Sequence, residues 1–176
     1  MPRIEISGIR VVVFDLDDTL YPERSFAWSG FEAVAAWLRQ RFCCPFDPAE
    51  RMRTLFDTEH RRRVFNRLLQ EMRIEVTDDL VGRMIEVYRS HPPRIALFED
   101  AEKAIERWSG RFRLGMISDG PLAVQKNKAA ALGLIDRLEP LIFTDAWGPA
   151  FWKPHPRAFR EIEKTCDARG AACVYI

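Results

Sequence analysis

Hydrophobic positions along the chain follow two periods, and the change between them divides it into three parts. Residues 11–14 form an unbroken β-branched and aromatic run, typical of a strand buried on both faces of a parallel sheet. Between residues 26 and 89 apolar positions recur every three or four residues, which predicts amphipathic helices. Beyond residue 95 short apolar strands alternate with helices. The pattern therefore predicts an α/β fold whose core is interrupted, directly after its first strand, by a helical insertion.

The individual elements follow from capping and breaking residues. Helices of the insertion are predicted at about 26–42, 49–58, 64–72 and 78–88. Thr77 is the start signal of the fourth, and the sequence His-Pro-Pro at 91–93 ends the insertion. In the second part of the core, strands are predicted at 111–117, 141–143 and 171–176, with helices at 101–108, 121–132 and 156–165. Such alternation favours a parallel sheet with right-handed crossovers.

Composition narrows the class of protein. The 176 residues suit one compact domain, or a core with a modest insertion. A net charge of +1 gives no global attraction to nucleic acid or to a membrane. No apolar stretch approaches the roughly 20 residues that cross a bilayer, and the N-terminus has no apolar signal-peptide centre. The four cysteines show neither metal-site nor disulfide spacing. We expect a cytoplasmic protein with reduced thiols.

The candidate chemistry begins where the first strand ends. In extended backbone Asp15 and Asp17 would point to the same side, at the edge where open α/β sheets bind ligands. Two adjacent carboxylates repel, and burying them is costly. A divalent cation would relieve that conflict, and one carboxylate could then act as a nucleophile. The alternative is a strand followed by an acidic turn, with Asp18 and Thr19 as loop or capping residues.

The sequence FDLDDT at 14–19 resembles the first motif of the haloacid dehalogenase superfamily, whose phosphatases carry Asp-x-Asp-x-Thr there. The layout also resembles members with a helical cap inserted after this motif. The resemblance extends over essentially the whole chain. It implies a Rossmann-like core formed by residues 1–20 and 95–176, and a helical cap formed by residues 21–94.

A second motif is indicated at 114–121, where the sequence LGMISDGP predicts a strand that ends in Ser118 and a helix that starts at Pro121. A hydroxyl and free backbone N–H groups at a helix N-terminus form an anion site. The resemblance implies that Ser118 bonds the phosphoryl group, and that Asp119 and Gly120 offer backbone N–H contacts. The alternative is an ordinary strand–turn–helix junction with a serine cap.

A third motif is indicated by FWKPHP at 151–156. The resemblance implies that Lys153 offsets the negative charge of the nucleophile and of the phosphate. The alternative is a surface lysine on a loop. For His155, which follows closely, we expect a helix-capping or solvated role rather than catalysis.

The fourth motif is where the sequence departs from the family pattern. The family carries an acidic motif after the next core strand, which supplies further Mg²⁺ ligands, but here that strand ends with the sequence at Ile176. Asp15 and the backbone carbonyl of Asp17 alone predict a weak Mg²⁺ site. Asp145, after the third strand, is a further candidate ligand. We expect a truncated form of a longer enzyme rather than a natural short homologue. A homodimer through the cap or through an exposed sheet edge is a further expectation.

The resemblance implies a Mg²⁺-dependent phosphatase of a small phosphorylated metabolite. Asp15 would be the nucleophile and Asp17 the general acid and base. Thr19 would hold the loop behind Asp15 beside the phosphate site, and the cap would close over the site and select the substrate.

Three other functions stay open. A non-catalytic phosphate-binding or interaction module, or an inactive fragment, would explain the missing fourth motif. A haloacid dehalogenase is disfavoured, because a departing halide needs no proton from Asp17.

The arginines of the insertion could bind a second anionic group of the substrate, although a solvated helix face explains them as well. They lie at 51, 53, 61, 62, 63, 67 and 73.

Overall fold

The computed structural model describes residues 8–58 and 63–176, and the chain divides into two compact units. The core unit comprises the chain up to Glu23 together with Ile95–Ile176, and the helical unit comprises Arg24–Arg94. Two of the arginines discussed above, Arg61 and Arg62, lie outside the described residues.

Over the residues described, the core unit is built on a four-stranded parallel sheet. Its strands are β1 (Val11–Phe14), β2 (Arg113–Ser118), β3 (Leu141–Phe143) and β4 (Cys173–Tyr175). The spatial order is β3-β2-β1-β4, so the two most buried strands occupy the middle. Because all four strands run the same way, the residues that follow β1, β2 and β3 meet at one edge of the sheet.

The described residues of the helical unit form four α-helices, the first of which begins one residue before the unit boundary. They are α1 (Glu23–Arg39), α2 (Pro48–Phe56), α3 (Val64–Glu71) and α4 (Asp78–Ser90). The core unit adds α5 (Glu99–Trp108), α6 (Leu122–Ala131) and α7 (Arg157–Thr165). None of the helices traced over residues 8–58 and 63–176 is long and apolar enough to cross a membrane.

The α/β class predicted from the sequence is confirmed, and so are the strands at 11–14 and 141–143. Thr77 is the N-cap of α4, where its side chain accepts a hydrogen bond from the backbone N–H of Leu80. The predicted ends of α1 are displaced: the helix begins three residues earlier than 26 and ends at Arg39, before Phe42. Ser118 is the last residue of β2, as the second motif predicts, and the strand begins at Arg113, two residues after the predicted start.

Arginines of the helical unit are paired with acidic side chains of the same unit. Arg51 and Arg67 both contact Glu71, at 2.5 and 3.2 Å, and Arg53 contacts Glu32. The hydrogen bonds and the charge of Arg51 hold the pKa of Glu71 below its ordinary value. The sequence left open a solvated helix face or an anion-binding role for these arginines, and the three named here are engaged in ion pairs within the unit.

The helical unit contains a buried histidine, His91. The ring of His91 is 5 % exposed and lies 4.8 Å from the ring of Phe26. Its Nδ1 atom lies 2.6 Å from the carbonyl oxygen of Tyr88. Burial lowers the pKa of His91 below its ordinary value of 6.5, because the charged imidazolium is poorly solvated there.

We therefore expect the free energy of unfolding to fall as the pH drops below about 6.5. Below that pH His91 binds a proton in the unfolded chain, whereas in the folded protein its lowered pKa keeps it neutral. The contribution of this group is at most about 1.4 kcal/mol per pH unit. His91→Asn should give a shallower decline between pH 7 and pH 5, measured by urea unfolding of both proteins. Parallel declines would contradict the assignment.

Candidate active site

The end of β1 places Asp15 at the carboxyl edge of the sheet. Its Oδ1 atom accepts hydrogen bonds from the backbone N–H of Leu16 at 2.8 Å and from the ammonium of Lys153 at 2.6 Å. Its Oδ2 atom accepts none from the residues that the structure describes. The side chain is 32 % exposed. Asp15 thus has one anchored oxygen and one oxygen open to a ligand.

Lys153 brings a largely buried positive charge to Asp15. Its ammonium also donates to the hydroxyl of Tyr175 at 2.7 Å and to the carbonyl of Ile117 at 3.3 Å. Burial acts to lower the pKa of Lys153, but the hydrogen bonds to Asp15 and Tyr175 and the charge of Asp15 outweigh it, so the pKa lies above its ordinary value. Lys153 is therefore a fixed cation beside the candidate nucleophile.

Asp17 is held by different partners from those of Asp15. Its Oδ1 atom accepts hydrogen bonds from the Tyr21 hydroxyl at 2.5 Å and from the Lys128 ammonium at 2.6 Å. Its Oδ2 atom accepts one from the Gln125 side-chain amide at 2.7 Å. Lys128 and Gln125 both lie on α6, more than 100 residues along the chain. The carboxylate of Asp17 is thus anchored to the helix that follows β2.

Ser118 ends β2, the strand paired directly with β1. It is 1 % exposed, and among residues 8–58 and 63–176 its hydroxyl has no hydrogen-bond partner. A buried hydroxyl without a partner is unfavourable, which makes it a natural group for a bound anion to satisfy. Gly120, two residues later, has φ +111°, and a Cβ there would lie 3.1 Å from the amide nitrogen of Gln125.

The carboxylate of Asp119 stabilises the site loops. It accepts a hydrogen bond from the Thr144 hydroxyl at 2.6 Å, and its two oxygens lie 3.2 and 3.1 Å from the backbone nitrogen of Lys153. The loop after β2 is thereby tied to the loop that carries Lys153. This side-chain role was not predicted from the sequence, which indicated only backbone contacts of Asp119 and Gly120 with phosphate.

Three other residues singled out in the sequence lie outside this set of contacts. Thr19 lies in the turn after Asp17, and its hydroxyl makes no hydrogen bond within the described chain. Asp145 accepts hydrogen bonds from the backbone of Leu122 at 2.9 Å and from the indole of Trp152 at 3.2 Å, so it caps α6. For His155 we expected a helix-capping or solvated role, and its Nδ1 atom accepts a hydrogen bond from the backbone N–H of Arg157, the first residue of α7.

The oxygen atoms at the end of β1 suit a hard divalent cation. Mg²⁺ is commonly bound through one or two carboxylates, substrate phosphate and several waters. The carboxylate of Asp15 and the backbone carbonyl of Asp17 are donors of that kind. Within the described residues, no group of three or more histidine, cysteine, aspartate or glutamate side chains is close enough to form a complete metal site. The residues present therefore fit a cation that keeps water and phosphate ligands.

Comparison with known proteins identifies the family. A family model described as haloacid dehalogenase-like hydrolase matches residues 9–176. The chain belongs to this family. A search of curated proteins finds no significant match.

Solved structures of hydrolases of this type share the fold. The magnesium-bound hydrolase YfnB of Bacillus subtilis is similar with a TM-score of 0.66 and 18 % identity, over 95 % of this chain and 77 % of that one. A 2-haloacid dehalogenase of Pseudomonas syringae pv. Tomato has a TM-score of 0.60 and 24 % identity, over 95 % and 76 %. A predicted phosphoglycolate phosphatase of Haemophilus somnus has a TM-score of 0.60 and 14 % identity, over 96 % and 76 %. At these identities the similarity shows the fold.

Sequence reasoning missed four residues of the site, which are Tyr21, Gln125, Lys128 and Tyr175. A signal for two of them was present. Gln125 and Lys128 are three residues apart, hence on one face of α6, and that face also carries the buried residues Val124 and Ala129. Polar side chains among the buried positions of a helix need partners, and the hydrolase supplies one in Asp17.

Proposed function

We propose that this hydrolase is a Mg²⁺-dependent phosphatase of a small phosphorylated metabolite, acting through an aspartyl-phosphate on Asp15. The observation that carries the proposal is the convergence of Leu16 and Lys153 on a single oxygen of Asp15, which leaves the other oxygen open. A nucleophilic carboxylate needs such an arrangement, because one oxygen must be oriented while the other attacks phosphorus.

The other residues have roles that follow from their contacts. Lys153 stabilises negative charge on the transferring phosphoryl group, and the hydroxyl of Ser118 donates to one of its oxygens. Asp17 enters the reaction in its protonated form and gives that proton to the leaving oxygen. The carboxylate that results then accepts a proton from the water that hydrolyses the aspartyl-phosphate, which restores the protonated form. Asp15 is regenerated, and inorganic phosphate and the alcohol are released. A bound Mg²⁺, held by Asp15 and the carbonyl of Asp17, would supply charge neutralisation at the phosphate.

Asp17 also supports phosphoryl transfer over carbon–halogen cleavage. A halide leaves without a proton, whereas an alkoxide leaving from phosphate needs one. In this hydrolase three side chains donate hydrogen bonds to the carboxyl group of Asp17, namely Tyr21, Gln125 and Lys128. A dehalogenase would not need an oriented acid–base residue at this position.

The proposal is tested by assaying the hydrolase with p-nitrophenyl phosphate and with 2-chloropropionate, each with Mg²⁺ and with EDTA. We expect release of nitrophenol that requires Mg²⁺, and no release of chloride. Chloride release independent of Mg²⁺ would contradict the proposal and identify the protein as a dehalogenase. Absence of both activities, with saturable binding of orthovanadate measured by calorimetry, would instead establish a non-catalytic phosphate-binding module.

A further inference from the structure

We propose that Lys128 and Gln125 are positioning residues, which orient Asp17 for proton transfer to the leaving oxygen. This inference rests on the proposed phosphatase activity, and it assigns to α6 a part in the reaction. The proposal gives neither residue a direct contact with substrate. Both act through the carboxyl group of Asp17, to which they donate hydrogen bonds.

The contacts with Asp17 are close and buried. Lys128 is 4 % exposed and Gln125 is 2 % exposed. The ammonium of Lys128 lies 2.6 Å from Oδ1, and the amide nitrogen of Gln125 lies 2.7 Å from Oδ2. Each oxygen of the carboxylate is thus fixed by a donor from α6, and rotation about the side-chain torsion of Asp17 would break both hydrogen bonds.

Stability alone does not account for a buried lysine at this position. Removing an ammonium from water is costly, and a buried ion pair is often no more stabilising than apolar residues of similar volume. The neighbouring buried positions of α6, Val124 and Ala129, are apolar, as is usual for the buried face of a helix. A lysine and a glutamine that both reach one candidate acid–base residue are better explained by the orientation of that residue.

Gln125 connects Asp17 with the second motif as well. Its amide nitrogen also donates to the backbone carbonyl of Asp119, in the loop directly after Ser118. Gly120 leaves room for this side chain, since a Cβ at that position would lie 3.1 Å from the amide nitrogen. The same amide group therefore holds the acid–base residue at a fixed position relative to the loop that follows the candidate phosphate-binding hydroxyl.

The role predicts a dependence on the leaving group that a structural role would not produce. A residue that acts through the general acid matters when the leaving oxygen needs a proton, and matters little when the leaving group is already a stable anion. The probes are phenyl phosphate, which has the poorer leaving group, and p-nitrophenyl phosphate, which has the better one. The quantity compared is kcat/KM, which reports the steps up to formation of the aspartyl-phosphate.

We expect Lys128→Met to lower kcat/KM for phenyl phosphate by about 10- to 100-fold, and for p-nitrophenyl phosphate by less than about 3-fold, because general acid catalysis contributes roughly 10²- to 10⁴-fold. Gln125→Met should shift the ratio of the two values in the same direction. It is a second variant that leaves the lysine in place. Thermal unfolding of each protein shows whether it is folded.

The matched control is Lys126→Met, which removes an exposed lysine from the same helix. It should change kcat/KM for either ester by less than about 2-fold. Equal losses on both esters in folded Lys128→Met and Gln125→Met would make the two residues structural and overturn the inference. Unchanged activity of both variants would overturn it too. Wild-type protein inactive on both esters would instead overturn the proposed function, and the inference with it.

Discussion

Asp15→Asn is expected to abolish phosphatase turnover, with kcat lowered by at least about 10⁴-fold, because removal of a nucleophile leaves only the catalysis supplied by binding. The asparagine oxygen can still accept the hydrogen bonds that Oδ1 now receives from Leu16 and Lys153. The fold should therefore persist. The measurement is steady-state hydrolysis of p-nitrophenyl phosphate with saturating Mg²⁺, together with trapping of the phosphorylated protein by rapid acid quench.

The matched control for this variant is Asp18→Asn. Asp18 is exposed, has φ +56° and accepts a hydrogen bond from the backbone N–H of Glu23. Asparagine tolerates that backbone conformation and keeps the acceptor oxygen. The control removes one carboxylate from the same loop, so it should retain turnover within about 3-fold. If Asp15→Asn kept more than a few per cent of wild-type turnover, another group would have to be the nucleophile.

The architecture was predictable because its signals are local. An unbroken apolar run identified β1, and three- and four-residue periods identified the helices of the helical unit, with Thr77 marking the start of α4. Helix ends were predicted less well. The end of α1 at Arg39, before Phe42, was missed because an apolar residue that packs against the helical unit from a loop has the same spacing as one inside the helix.

The site was predictable only as far as short motifs reach. The motifs placed three residues at the ends of predicted strands or in the loops after them, namely Asp15, Ser118 and Lys153. In the structure the ammonium of Lys153 donates a hydrogen bond to Asp15, which lies 138 residues earlier in the sequence. The partners of Asp17 could not be predicted from motifs. Hydrophobic spacing indicates which face of a helix is buried, but it does not indicate which distant side chain that face contacts. Asp145 illustrates the converse. It is an acidic residue after β3, yet the structure uses it to cap α6.

Lys153→Met is the second variant with a large expected effect, a loss of about 10²- to 10³-fold in kcat/KM for phosphomonoesters, as for other groups that stabilise transition-state charge. The ammonium lies 2.6 Å from Asp15, and its hydrogen bonds and the charge of Asp15 raise its pKa, so it stays charged at every pH at which the hydrolase would be assayed. Methionine has a similar length and no charge. Substrate binding should weaken too, which inhibition by orthovanadate measures.

Two further variants test whether the loss of activity comes from the missing charge at residue 153. Lys153→Arg keeps the charge with a different geometry, and should recover part of the lost activity without restoring it fully, since the single nitrogen of lysine serves Asp15, Ile117 and Tyr175 together. Lys164→Met removes an exposed lysine from α7 and should leave kcat/KM within about 2-fold of wild type. A folded Lys153→Met protein with undiminished kcat/KM would show that neither the charge at this position nor its hydrogen bonds are used in the reaction.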